Sequence, residues 1–236
     1  MIYLRLLLIV SLSLLSGCAS FVAVPPGEST HTGMTVTTGT TWNQLPANAT
    51  FSSRVNTRQW TLDGLLLDRL ILIPAIPPGE AVFRQQAGND SLPLFSADML
   101  PHEIQELVES SIVRLFGEGG AVVETSGLRP QRFGQDKGIL FDLAVSVSDG
   151  PDYRGVTGAL VVDDKLYLIV YLAVKTYYYD KHLNEALGVI KSLRVDGENG
   201  TVGIGDSAFP FAATNASDKV SGIYVSEIVT GSRRQL

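Results

Sequence analysis

Three histidines, a single cysteine and a scatter of aspartates are the side chains in these 236 residues with the chemistry to catalyse or to bind a metal. His31, His102 and His182 lie far apart, in no His-x-x-x-His, His-Glu-x-x-His or His-x-His spacing. No one helix or strand therefore offers two imidazoles to a zinc ion. A serine hydrolase would carry Gly-x-Ser-x-Gly between a strand and a helix, and the chain has none. GIGDSAFP at 203–210 opens like a glycine-rich dinucleotide turn, but Phe209-Pro210 ends it where a helix should begin. Asp63, Asp149, Asp152, Asp163 and Asp164 fall at predicted turns, where aspartate bonds the local backbone. Asp163-Asp164 reads as a solvated turn, with a weak Ca²⁺ site as the lesser alternative. Asp68 and Asp142 interrupt predicted strands and are expected to face solvent or to pair with Arg69 or Arg154. The expectation is a protein that is not an enzyme and needs no cofactor and no metal.

Cys18 has a different use. It follows a short apolar run, Leu6 to Leu15, with Arg5 the only charge ahead of it. Ten residues are too few to span a bilayer and suit a secretory signal. Leu15-Ser16-Gly17-Cys18 resembles the lipobox of bacterial lipoproteins, in which small residues let the processing peptidase reach the chain. The resemblance implies cleavage after Gly17, a diacylglycerol on the Cys18 sulfur and a further acyl chain on its amine. Two or more chains anchor stably where one is marginal. By the same resemblance, Ala19 in place of an aspartate favours the outer membrane in a Gram-negative cell. The implied location is the cell envelope, periplasm-facing, with the membrane held through the lipid anchor.

The chain carries 18 Lys+Arg against 24 Asp+Glu; loss of residues 1–17 removes only Arg5, leaving 17 against 24, or −7. That acidic balance excludes nucleic acid as a partner, which requires a basic footprint. With one cysteine no disulfide forms within the chain, so the fold rests on its apolar core. Asn-x-Ser/Thr triplets at Asn48, Asn89, Asn199 and Asn215 read as chance in a bacterial chain.

Residues 1–17 thus read as signal peptide and 18–57 as a lipidated tether, with Pro25-Pro26-Gly27 and a Thr-rich run from Thr30 to Thr41. An added edge strand is the alternative there, since threonine favours extended backbone. The folded domain spans 58–195. Asp63-Gly64 predicts a two-residue hairpin turn between Trp60-Thr61-Leu62 and Leu65-Leu66-Leu67. The second arm runs to Pro74, and a short strand follows at Ala81 to Arg84. Ile104, Leu107, Val108, Ile112 and Leu115 form one helical stripe between Pro101 and Gly117. Ile139, Phe141, Leu143, Val145 and Val147 alternate as a strand, Arg154 to Val162 runs back, and Leu166 to Val174 is apolar on both faces. A second helix spans DKHLNEALGVIK, with Asp180 as N-cap and Gly188 as a point of close packing. The fold class is α+β: a mainly antiparallel sheet covered by helices on both faces, an α/β/α sandwich. Residues 196–236 are a C-terminal extension, an edge strand or a partly ordered tail.

This order of elements resembles a known superfamily. The residues concerned are Trp60, Asp63-Gly64 and Leu67-Asp68-Arg69-Leu70, the helix opening at Met99-Leu100-Pro101, LYLIVYLAVKTYYYDKH at 166–182, and Ser192-Leu193. The resemblance is to the α/β/α sandwiches of the photosystem II extrinsic oxygen-evolving subunit and the small Ran-binding protein, and it covers about residues 58–195. It implies binding of proteins or membrane complexes rather than catalysis, and no binding residue carries over. Tyr177, Tyr178 and Tyr179 are the candidate binding residues, because three successive rings cannot all enter one core; sealing of the strand-to-helix junction is the competing role. The function expected is non-enzymatic protein binding in envelope assembly or maintenance, with an unidentified envelope protein as partner. The alternative is a small-molecule or lipid carrier using a cleft between sheet and helix.

Overall fold

Strand β10 (Lys165–Val174) sends alternate side chains into two separate cores. Leu166, Leu168 and Val170 enter the first; Tyr167, Ile169, Tyr171 and Ala173 enter the second. Opposite pointing of successive side chains makes this the fifth strand of a sheet buried on both faces. The computed structural model describes residues 21–46, 56–84, 91–116, 119–148 and 150–196. Cys18, the expected signal peptide 1–17, the 203–210 stretch and all of the 196–236 extension after Asp196 lie outside them, as does Asp149.

The described residues form a mostly antiparallel sheet with two helices. The remaining strands are β1 (Val22–Val24), β2 (Gly27–His31), β3 (Met34–Thr38), β4 (Trp42–Gln44), β5 (Arg58–Thr61), β6 (Asp68–Ile76), β7 (Ala121–Phe133), β8 (Asp136–Val147), β9 (Asp152–Val162) and β11 (Arg194–Val195). Eight are ordered β1-β4-β5-β6-β10-β9-β8-β7, every pair antiparallel. A smaller sheet is ordered β11-β3-β2. Helix α1 (Pro101–Phe116) gives Ile104, Leu107, Val108 and Ile112 to the first core, with Phe141, Leu143 and Val145 of β8. Helix α2 (Tyr178–Lys191) gives Ala186, Val189 and Ile190 to the second, with Leu70, Leu72 and both tryptophans. Among the described residues no helix is long and apolar enough to cross a membrane.

Residues 22–46, expected as spacer or as an added edge strand, are part of the fold: β1 takes the edge of the large sheet, and β2 and β3 lie in the smaller one. Met34, Val36 and Trp42 are 1%, 0% and 0% exposed in the second core. The threonines are accommodated by bonds: Thr30 and Thr35 hydroxyls pair at 2.9 Å, and the Thr38 hydroxyl donates to the carbonyls of Pro25 and Gly27. α2 holds the segment from the other side. The Glu185 carboxylate accepts from the Gly39 and Thr40 amides at 2.8 and 3.2 Å, and Ser192 Oγ accepts from the Thr37 amide at 2.7 Å.

Other expectations shift by local causes. The Asp63-Gly64 turn is a six-residue loop, 62–67, with Leu65, Leu66 and Leu67 in turns. β6 passes Pro74 and ends at Ile76, because Ala75 takes a positive φ of 49° and the register with β10 slips there. The 81–84 strand reduces to one bridge, Ala81 to Leu94. β7 went unread in the sequence because it is a largely exposed edge strand with few apolar positions. Asp180 lies inside α2, whose N-cap is Tyr177. Close packing is made by Gly158 of β9, where a Cβ would stand 2.5 Å from Ile190 Cγ2; at Gly188 it would meet nothing within 4 Å. Asp142 pairs with Arg129 rather than Arg154, bidentate at 3.0 Å for both bonds, across a bulge that Gly127 turns with φ +63°.

Trp42→Ala in the full chain is expected to lower the unfolding free energy by about 3–5 kcal/mol, the usual cost of truncating a core aromatic. Urea denaturation checks it; a spacer residue would leave the midpoint unchanged.

Candidate functional site

At one end of the sheet, β6 and β9 begin where β8 and β10 stop. Three connections gather there: loop 62–67, the β8–β9 connection, and residues 175–177 leading into α2. Asp68 builds the first. Its buried carboxylate accepts from the Thr61 hydroxyl at 3.1 Å and from the Leu62 and Asp63 amides at 2.7 Å each, closing the loop as a self-bonded turn. The Thr61 hydroxyl oxygen then accepts from the Gly64 amide at 2.8 Å. The loop is tied onward by the Val174 amide to the Leu67 carbonyl at 2.9 Å and by the Tyr153 hydroxyl to the Leu66 carbonyl at 3.3 Å. Asp68 is therefore neither solvent-facing nor paired with Arg69.

The loop holds Asp63 against the first turn of α2. Asp63 Oδ2 accepts from Lys181 Nζ and from His182 Nε2, both at 2.6 Å. The Lys181 hydrogen bond, offset in part by desolvation and reinforced by His182, holds the Asp63 carboxyl below its ordinary 3.8. The same bond raises Lys181 above 10.5. An ionised carboxylate only accepts, so His182 Nε2 carries the shared proton. Asp63, Asp68 and His182 bring one potential ligand atom each within 4.8 Å. These oxygens are engaged by Lys181, by backbone amides and by Thr61, which makes the cluster a latch between loop and helix.

The three tyrosines divide. Tyr178 and Tyr179 pack against the second core, and Tyr179 stacks on Tyr171 at 5.9 Å, with the Arg154 guanidinium 5.9 Å from its ring centre. The Tyr171 hydroxyl donates to the carbonyls of Tyr178 and Tyr179, and burial raises its pKa. Tyr177 is 65% exposed and set edge-on to Tyr178, with Lys181 Nζ 5.5 Å from its ring centre. Its backbone has φ 79° and ψ −56°, and the Tyr178 amide donates to the Thr176 carbonyl at 3.1 Å. That is a γ-turn of the strained hand, costing on the order of 1–3 kcal/mol in a residue with a side chain.

Beside the loop lies an open groove of about 640 Å³, lined among others by Leu65, Leu66, Arg69, Val147, Tyr153 and Leu172. Val147, Tyr153 and Leu172 pack against the first core, so the groove continues it. No helix residue lines it, so it is a groove between sheet and loop rather than between sheet and helix. Leu66 stands 69% exposed at its rim. Arg69 Nε donates to the Leu65 carbonyl at 2.7 Å, and burial lowers the guanidinium's pKa. Among the described residues no carboxylate pairs with it. In the sequence Arg69 reads as a salt-bridge partner for a strand aspartate; that its guanidinium meets no carboxylate among the described residues is visible only in three dimensions.

No family model and no curated protein matches the chain. Among solved structures it is similar to the solution structure of cyanobacterial PsbP (CyanoP) from Synechocystis sp. PCC 6803. The two share 14% identity and a TM-score of 0.46, over 77% of this chain and 95% of that one.

The latch has a defined pH window. A carboxyl held low when folded contributes stability above its unfolded pKa, and that contribution is lost as pH falls through the folded pKa; an amine held high loses its contribution as pH rises through its folded value. Asp63→Asn is expected to lower Tm between about pH 5 and 10 and to match wild type at acid pH below the carboxylate range. Thermal melts across pH check this. A difference that persists undiminished at low pH would show that Asp63 acts through packing rather than charge.

Proposed function

We propose that this chain is a lipid-anchored envelope protein with a non-enzymatic binding role in envelope assembly or maintenance, and that the loop end of the sheet is its binding surface. Leu15-Ser16-Gly17-Cys18 supports the anchor. The observation that carries the binding role is Tyr177: an exposed aromatic held in a strained turn that glycine would adopt freely. Tyrosine is favoured at protein interfaces because its ring is apolar and its hydroxyl polar. Leu66, exposed on the neighbouring loop, adds apolar surface. The two cores, one holding α1 residues and the other α2 residues, support an α/β/α sandwich as the scaffold behind this surface. In a Gram-negative cell the reading places the domain on the periplasmic face of the outer membrane.

A carrier of apolar small molecules is a second reading, favoured by the groove at the same end of the sheet.

Tyr177→Gly is expected to raise stability by about 1 kcal/mol through relief of strain while abolishing partner capture. Crosslinking in intact cells followed by mass spectrometry, beside a melting curve, measures both; partner recovery equal to wild type removes Tyr177 from the interface. Cys18→Ala is expected to accumulate as unprocessed precursor and to lack the acyl mass. Normal processing and membrane retention of that variant would overturn the anchor.

A further inference from the structure

The groove beside loop 62–67 has aliphatic walls and one cation. Leu65, Leu66, Val147, Leu172 and Val174 supply the walls. Asp68 also borders it, but both carboxylate oxygens are taken by Thr61, Leu62 and Asp63. Arg69 shares the face of β6 that carries Ile71 and Ile73 into the first core. Its Nε is engaged by the Leu65 carbonyl, which fixes the guanidinium at the loop. Moving a charge out of water is costly unless an opposite charge meets it, and nothing described in the chain meets this one. A planar guanidinium presents a fork of N–H donors matched to a carboxylate. A wholly polar anion such as inorganic phosphate would need several donors, and the remaining walls are apolar. The volume of about 640 Å³ lies in the range of small-molecule pockets.

We propose that this groove binds a single-chain anionic amphiphile of the fatty-acid type, its carboxylate paired with Arg69 and its alkyl chain lying along Leu65, Val147, Tyr153 and Leu172. The proposal rests on the carrier reading above and names its ligand class. The groove continues an existing core, so an alkyl chain extends packing already present. Low dielectric around Arg69 strengthens the head-group bond.

The test uses the full acylated chain in phosphatidylethanolamine nanodiscs, labelled with a palmitate analogue bearing its diazirine close to the carboxylate, because Leu65 and Leu172 both lie beside Arg69. Adducts are expected on peptides carrying Leu65–Leu67 or Leu172. Free palmitate is expected to compete about tenfold or more better than methyl palmitate, as loss of a charged hydrogen bond predicts. Arg69→Gln is expected to abolish that preference and Arg69→Lys to retain part of it, melting curves confirming that both fold. If neither folds, the wild-type preference for acid over ester decides. Groove labelling with equal competition by acid and ester would overturn the carboxylate assignment and leave the carrier reading standing. Adducts confined to other regions would overturn both. Displacement of the probe by a soluble acidic peptide as readily as by palmitate would assign the groove to a protein segment and overturn the fatty-acid proposal.

Discussion

The Asp68 carboxylate is the contact on which the loop end of this protein depends. A buried carboxylate with unmet oxygens is costly, and Asp68 at the start of a central-sheet strand has three donors within reach from Thr61, Leu62 and Asp63. Meeting them folds six residues back on themselves, and that geometry has three consequences. Asp63 arrives where Lys181 and His182 can hold it. The carbonyls of Leu65, Leu66 and Leu67 point at Arg69, Tyr153 and Val174. The leucine side chains cannot continue a strand and stand instead as a groove wall. An asparagine here would replace one acceptor oxygen with an amide donor facing backbone N–H groups, so the constraint is chemical as well as steric.

Much of the scaffold was legible because burial leaves a period in the sequence. β10 reads as apolar on both faces because it is, and α1 reads as a stripe because one side of it meets the first core. Segments that enter the core through hydrogen bonds leave no such trace. The threonines of β2 and β3 resemble a spacer in composition, yet their hydroxyls and amides find partners in Pro25, Gly27, Ser192 and one another. β7 carries so few buried apolar positions that alternation alone does not reveal it. The candidate site was legible only in part. Three consecutive tyrosines announce that one ring must stay out, but which ring, and the strained turn that holds it, follow from α2 starting at Tyr178.

The two ends of the large sheet differ in a way that bears on function. At the far end β7–β8 and β9–β10 are joined by two-residue turns at 134–135 and 163–164, the latter with Asp163 and Asp164 both at positive φ. Such turns match strand twist and expose little. The near end carries the long loop, the strained Tyr177, the Asp63 latch and the groove. Irregular backbone also leaves the far end, from Ile76 to the start of α1, but there it buries Val82, Phe83, Leu92 and Phe95 in the first core; at the near end it lines an open groove, the usual setting of a binding surface.

The register of β1 relates that surface to the proposed anchor. Val24 pairs with Trp42 and Val22 with Gln44, while Gln44 and Asn43 pair with Trp60 and Thr61 of β5. Thr61 leads into loop 62–67, so β1 runs toward the loop end and the chain enters it from the side of the two-residue turns. Cys18 stands three residues before Phe21, a reach of at most about 11 Å. With residues 22–46 folded, the tether between anchor and domain would be short. An acyl anchor at Cys18 would then keep the domain close to the leaflet, with the edge strand β1 as its point of attachment. A groove on a domain held that close would meet amphiphile at the membrane surface or from a partner, which makes the protein-binding and carrier readings two steps that one surface can serve.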